Sequence, residues 1–178
     1  MRPAGRAIPV VLALLWSMAL QATPARAQGD LEYSVKANYL VRFTAFVTWP
    51  PSAFASPQAP VVICVAGRDP FGRSLEAAAR SQTAHGRRVA IRRLGDPAAV
   101  AGCNIVYVGR DGGAALGGAV GRPAMVVTDQ GVGPERGAVH FVVAEGRVRF
   151  HIDQQQAARG GLGVSSRLLN LALSVRGG

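Results

Sequence analysis

Lysine is nearly missing from this 178-residue sequence: Lys36 is the single one, and arginine supplies the rest of the 20 basic residues. Cysteine occurs only at positions 64 and 103, with no Cys-x-x-Cys spacing and no histidine close to either. The common zinc and dithiol redox patterns are therefore absent. No Gly-x-x-x-x-Gly-Lys-Ser/Thr loop and no Gly-x-Ser-x-Gly elbow is present, so neither a P-loop nor a hydrolase nucleophile is spelled out. No internal repeat is seen. The formal charge of +10 comes from arginines scattered along the chain. A nucleic-acid-binding arm would cluster them, so no nucleic-acid partner is expected. An anionic surface or protein partner remains compatible.

The N-terminus has export features. Arg2 and Arg6 precede a mostly apolar run, Ile8 to Leu20, and Ala25-Arg26-Ala27 places small residues at the two recognition positions. This predicts a secretory signal peptide over 1–27, cleaved before Gln28. The alternative, an uncleaved anchor, needs a run of roughly 20 apolar residues, and this one falls short. No later stretch is long or pure enough to span a bilayer. Residues 28–178 are then expected to form one exported α/β domain. Its charge is 10 − 3 = +7 once Arg2, Arg6 and Arg26 are removed. In an oxidising compartment an even pair, Cys64 and Cys103, reads as a disulfide in preference to two free thiols. A single reactive or metal-binding thiol is the competing reading.

The predicted elements alternate. Leu31, Val35, Tyr39, Phe43 and Phe46 or Val47 form one stripe of a helix over 31–49, ended by Pro50-Pro51. Val61 to Ala66 is an apolar, β-branched strand covered on both faces. Asp69-Pro70 is read as the N-cap of a helix running to Ala79. Strands are expected over 89–94, 104–108 and 124–128, with a capped turn at Asp96-Pro97 and a loose helix over 111–121. Val139–Val143 and Val148–Ile152 flank Glu145-Gly146 as a hairpin. Its tight turn pairs positions summing to about 291, with Phe141, Phe150, Val143 and Val148 on the core face. A helix begins at Gln154, breaks at the glycines of 160–163, and resumes over 164–175. The fold class is therefore α/β: a small, mostly parallel sheet flanked by helices, with a C-terminal β-hairpin and terminal helix.

Four places invite a chemical reading. Val61–Ala78 runs strand, glycine loop, helix, the order that cradles phosphate. Pro70 removes a first-turn N–H there and Asp69 puts a negative charge where phosphate would sit, so a self-capped turn is the better reading. His140, His151 and Asp153 share one hairpin face and could hold zinc, but Arg149 beside them opposes a cation. Ser165 or Ser166 with His151 and Asp153 could compose a hydrolytic set; capping of the last helix suits these serines better. His85, in a polar loop, is read as solvated. The segment from Arg147 to Ala172 is the most polar-functional, either a solvated face or a recognition surface.

Five stretches together resemble the YfiR family of periplasmic proteins: "VKANYLVRFTAFVTWP", "VVICVAGRDPFGRSLE", "CNIVYVG", "MVVTDQ" and "GRVRFHIDQQQAARGGLGVSSRLLNLA". The resemblance implies a small α/β domain, often dimeric, that acts by contact and not by catalysis, without cofactor or metal. It implies a partner, the periplasmic part of a membrane diguanylate cyclase, which is held inactive, lowering cyclic di-GMP and biofilm formation. An outer-membrane lipoprotein antagonist and a homodimer are part of the same expectation. Cys64 and Cys103 match the family's disulfide positions, and a second cysteine pair is lacking. Polarity and likeness of segment select Arg149, His151, Gln155, Arg159 and Arg167 as partner-binding residues. The alternative is a small-molecule-binding protein, or an accessory of another membrane sensor such as a histidine kinase. An enzyme is the third reading.

Overall fold

The computed structural model describes residues 24–177, with side-chain environments from residue 28. The expected signal peptide over 1–27 lies almost wholly outside the described residues. In chain order the elements are α1 (Pro24–Phe46), β1 (Val47–Thr48), β2 (Val61–Ala66), α2 (Ser74–Ala79), β3 (Thr83–Ala84), β4 (Arg87–Leu94) and β5 (Ile105–Val108). There follow α3 (Ala114–Gly118), β6 (Met125–Asp129), β7 (Val139–Ala144), β8 (Arg147–Asp153), α4 (Gln154–Arg159), β9 (Gly163–Val164), α5 (Ser166–Leu169) and β10 (Ser174–Arg176). Among the described residues no helix is long and apolar enough to cross a membrane.

Eight strands form one sheet in the order β10-β8-β7-β6-β5-β2-β4-β3. Strands β4, β2, β5, β6 and β7 run parallel; β8 returns antiparallel to β7, and β10 adds parallel to β8. The alternation of β2 explains its unbroken apolar sequence. Ile63 and Val65 enter a core against α1 with Phe43, Tyr107, Phe141 and Phe150. Cys64 and Ala66 enter a second core with Val106, Val108 and Ala115. A strand covered on both faces needs apolar residues at every position.

The helix stripe is rotated from the expected one. Lys36, Ala37, Leu40, Val41, Phe43 and Thr44 are buried, whereas Leu31 is 66% and Val35 36% exposed. The helix also ends earlier. Val47 and Thr48, β-branched and followed by Trp-Pro-Pro, pair antiparallel with Val164 and Gly163 as a two-stranded ribbon. Their branched side chains and the downstream prolines favour extended backbone over a further helical turn.

Two other expectations change. Asp69 does not cap α2, which starts only at Ser74; the Asp69 Oδ1 accepts from the Phe71 N–H at 2.7 Å, closing a local turn. The turn at Asp96-Pro97 forms as expected, with Asp96 Oδ1 accepting from the Ala98 N–H at 2.9 Å and Asp96 O from the Ala99 N–H at 3.0 Å. The last helix is four residues long, with Ser165 accepting from Leu168 N–H as its N-cap. Val175, assigned to that helix, lies in β10 opposite Ile152. The leucine spacing of 168–172 also suits a short turn that feeds an edge strand, and β8 supplies the partner that decides between them.

The hairpin register holds residue for residue, from Val139↔Ile152 to Ala144↔Arg147. Glu145 (φ 52°) and Gly146 (φ 70°) both take left-handed backbone, the requirement of a type I′ turn. Phe141 and Phe150 are in the core, but Val143 is 43% exposed. It stands at the far end of the hairpin, where an open groove of about 420 Å³ separates it from Leu31 and Val35 of α1.

Candidate partner surface and buried ion cluster

The strand order reverses between β2 and β5, the place where open α/β sheets bind ligands beyond their strand ends. Here that crevice is filled by backbone. Arg68 N–H donates to Arg110 O at 2.7 Å and Gly109 N–H to Ala66 O at 2.8 Å. A Cβ on Gly67, which has φ +80°, would lie 2.3 Å from Arg110 O, and one on Gly112 2.2 Å from Ala66 O. Asp69, facing this corner, is engaged by Arg93 Nε at 2.7 Å. Arg93 also pairs with Glu76, whose carboxyl is held below the usual range by that guanidinium. The corner braces two loops against each other and leaves no cradle for phosphate.

Beneath it lies the disulfide. Cys64 of β2 is joined to Cys103, just before β5, with Cα atoms 5.8 Å apart. Both sulfurs are buried in the second core beside Val100, Ala115 and Ala119. Arg92 Nη2 approaches Cys103 Sγ at 3.0 Å.

The histidine pair is placed as expected, His140 opposite His151. His140 is only 3% exposed, because segment 130–137 lies over this face. Its Nδ1 shares a 2.8 Å hydrogen bond with Thr128 Oγ1, which also accepts from Gly137 N–H. His151 Nδ1 meets Ser174 Oγ of β10 at 2.6 Å. Asp153 caps α4 through Gln156 N–H and receives Arg176 at 2.7 Å. Burial alone would raise the Asp153 carboxyl; those donors outweigh it and hold the group low. Each candidate metal ligand is thus engaged with a protein partner, and among the described residues no group of three or more His, Cys, Asp or Glu is placed to hold an ion.

Burial, aided by Arg136, pushes His140 down to about 4, against a weaker opposing pull from Asp129; His151 is lowered for the same first reason. The folded state therefore resists protons that the unfolded chain takes up. Stability from His140 is complete above its unfolded value near 6.5 and is lost as pH falls from there toward about 4. The expected loss is roughly 1–3 kcal/mol across that window. Urea titrations at stepped pH will show a slope that His140→Asn flattens. The carboxylates Asp153 and Glu76, lowered instead, act only below their own ordinary range, so the two effects separate in pH.

The five expected partner residues do not form one patch. Arg149 and His151 project from the same face of β8, opposite Phe150 and Ile152. Gln155 and Arg159 are exposed one turn apart on α4, with Gln155 against Gly177 beyond β10. Arg167 is exposed on α5, whose Leu168 is buried in the α1-side core, across the sheet from Arg149. His85 is exposed, as read from its polar loop, and its Nε2 also lies 3.0 Å from Val47 O beside the edge of Trp49.

The single lysine proves to be the most deeply placed charge. Lys36 Nζ donates to Asp129 Oδ2 at 2.7 Å and Glu32 Oε1 at 2.5 Å, with lysine and aspartate side chains each 1% exposed. Tyr107 Oη donates to the same Asp129 oxygen at 3.0 Å, Gly131 N–H donates to the other at 2.9 Å, and Lys36 sits over the Tyr33 ring. Burial would lower the lysine, but its two carboxylate partners raise it overall. Burial first, then the Asp129 charge, raises both tyrosines. The sequence signal was available: Glu32 and Lys36 stand one helical turn apart, and Asp129 ends a strand that begins Met-Val-Val.

A profile of the YfiR/HmsC-like family (DUF4154) matches residues 33–173, most of the chain. No curated protein matches it. The chain belongs to the YfiR/HmsC-like family. That family comprises periplasmic regulators of the cyclic di-GMP cyclase pathway, not enzymes, which act with the periplasmic domain of a membrane sensor.

Proposed function

We propose that the protein is exported, loses residues 1–27, and works in the periplasm by binding the periplasmic part of a membrane diguanylate cyclase and holding it inactive. The family match over 33–173 carries this reading. The geometry suits it. An inhibitor needs differential affinity for one state of its partner and no reactive group. A body stapled at Cys64–Cys103 presents a hairpin face bearing Arg149 and His151, next to the exposed α4 flank of Gln155 and Arg159. Arg167, on the other side of the sheet, would join this surface only if the partner wraps the C-terminal edge. A homodimer and a lipoprotein antagonist belong to the same proposal. So does service to a different membrane sensor, such as a histidine kinase.

Deleting the gene should raise cyclic di-GMP and biofilm, and tagged protein should recover a membrane cyclase from envelope extracts. Arg149→Glu with Arg159→Glu should weaken inhibition at least tenfold while the melting temperature stays within a few degrees. An unchanged cyclic di-GMP level on deletion, with no cyclase recovered, would overturn the proposal.

A further inference from the structure

An opening of about 630 Å³ belongs neither to the disulfide corner nor to the outer face of β8. It lies on the second face of the sheet, between α3, the start of β6, segment 130–137 and the C-terminal end of α4. Its floor is apolar: Leu116 and Ala119 from the α3 side, Ala124 and Val126 from the β6 side. Val120 stands at its rim, 79% exposed. The volume falls in the range of about 300–1,000 Å³ typical of small-ligand sites.

The polar groups around the opening are mostly of one sign. Arg122, Arg136 and Arg159 line it, against the single carboxylate of Glu135. None of the three arginines forms an ion pair among the described residues, where Arg68, Arg93 and Arg176 do. Arg122 is anchored through its side chain and Arg136 through its backbone carbonyl. Arg122 Nε donates to Gly118 O at 2.9 Å, and Gln156 Nε2 of α4 donates to Arg136 O at 3.2 Å. The Arg122 carbonyl packs so closely on Gly160 that a Cβ there would approach to 2.8 Å. Guanidinium groups offer forked donors that match a carboxylate. An apolar floor with such a rim excludes a sugar or a cation and selects a molecule apolar at one end and anionic at the other.

We infer that this pocket binds a small amphipathic carboxylate, its apolar body on Leu116, Ala124 and Val126 and its head among Arg122, Arg136 and Arg159. The site shares Arg159 with the surface proposed for the membrane partner, so the variants that test it are placed at Arg122, Arg136 and Val120, outside that surface. A carboxylate of this kind can be a free fatty acid of the envelope or an aromatic acid, and two probes distinguish them.

The exported protein, purified from the periplasm, is titrated with decanoate, 2-naphthoate and decanol by calorimetry. Saturable binding of either acid is expected, at least tenfold tighter than decanol, and the tighter acid identifies the body preferred. Arg122→Glu with Arg136→Glu should weaken the acid at least tenfold. Val120→Asp, at an exposed position where folding is not at stake, should weaken it as well. Amide shifts on binding should centre on residues 116–126 and 136–138. Failure of both acids to bind, equal affinity for decanol, or losses under threefold in both variants would each overturn the site.

Discussion

Asp129→Ala is expected to lower the unfolding free energy by about 3–5 kcal/mol, the cost of stranding one member of a buried ion pair. The variant leaves the Lys36 ammonium at a position 1% exposed with Glu32 as its remaining carboxylate. It also leaves Tyr107 Oη without its acceptor. Lys36→Ala should cost less, because Asp129 keeps the Tyr107 hydroxyl and the Gly131 N–H. The double variant Lys36→Met with Asp129→Asn removes both charges and should cost far less than the two single changes added together. Urea unfolding followed by Trp49 fluorescence measures all of these, since Trp49 is 7% exposed and its Nε1 bonds Asn104 O. An Asp129→Ala loss under 1 kcal/mol would show that water or Glu32 compensates the lysine. The cluster matters to function through position: it fixes α1 on the end of β6, and α1 flanks one side of the hairpin's open groove.

Much of the fold was legible because its signals are local. A two-residue turn at Glu145-Gly146 with apolar alternation on either side leaves one register, and that register is the observed one. β2 is found over its expected span because six apolar residues leave no polar face. The failures share a different cause. In α1 the apolar residues suggested one stripe, but Lys36 and Thr44 hold buried positions: Thr44 Oγ1 donates to Val41 O within the helix, whereas Lys36 depends on a distant partner. Lys36 finds Asp129, 93 positions away, and no periodicity reveals that. Val175 reads equally as helix or strand until β8 is known to have a free edge. Pocket and partner surfaces are harder again. Arg122, Arg136 and Arg159 converge from three segments, and neighbours in sequence such as Gln155 and Gln156 face different surroundings: one Gly177, the other Arg136.

The disulfide carries the other large effect. Replacing both cysteines, Cys64→Ala with Cys103→Ala, should cost about 4 kcal/mol, the chain-entropy value for a closed loop of this length. The loop spans 39 positions and encloses α2, β3 and β4. Released in the unfolded state, those elements gain freedom that the bridge had denied them, while the folded contacts of β2 with β4 and β5 remain. The melting temperature should therefore fall by roughly 8–16 °C without loss of fold at 25 °C. Reductant acting on the native protein should be slow, because Cys64 is 0% and Cys103 5% exposed, so attack waits for local opening. Guanidinium melts of the unmutated protein in reductant should fall to the double variant's midpoint, while melts without reductant stay above it. A midpoint equal to that of the oxidised protein would show that packing, not the bridge, holds this corner. The consequence reaches the partner surface only through abundance: β8 and α4 lie outside the closed loop, so inhibition per folded molecule should persist while the amount of folded protein drops.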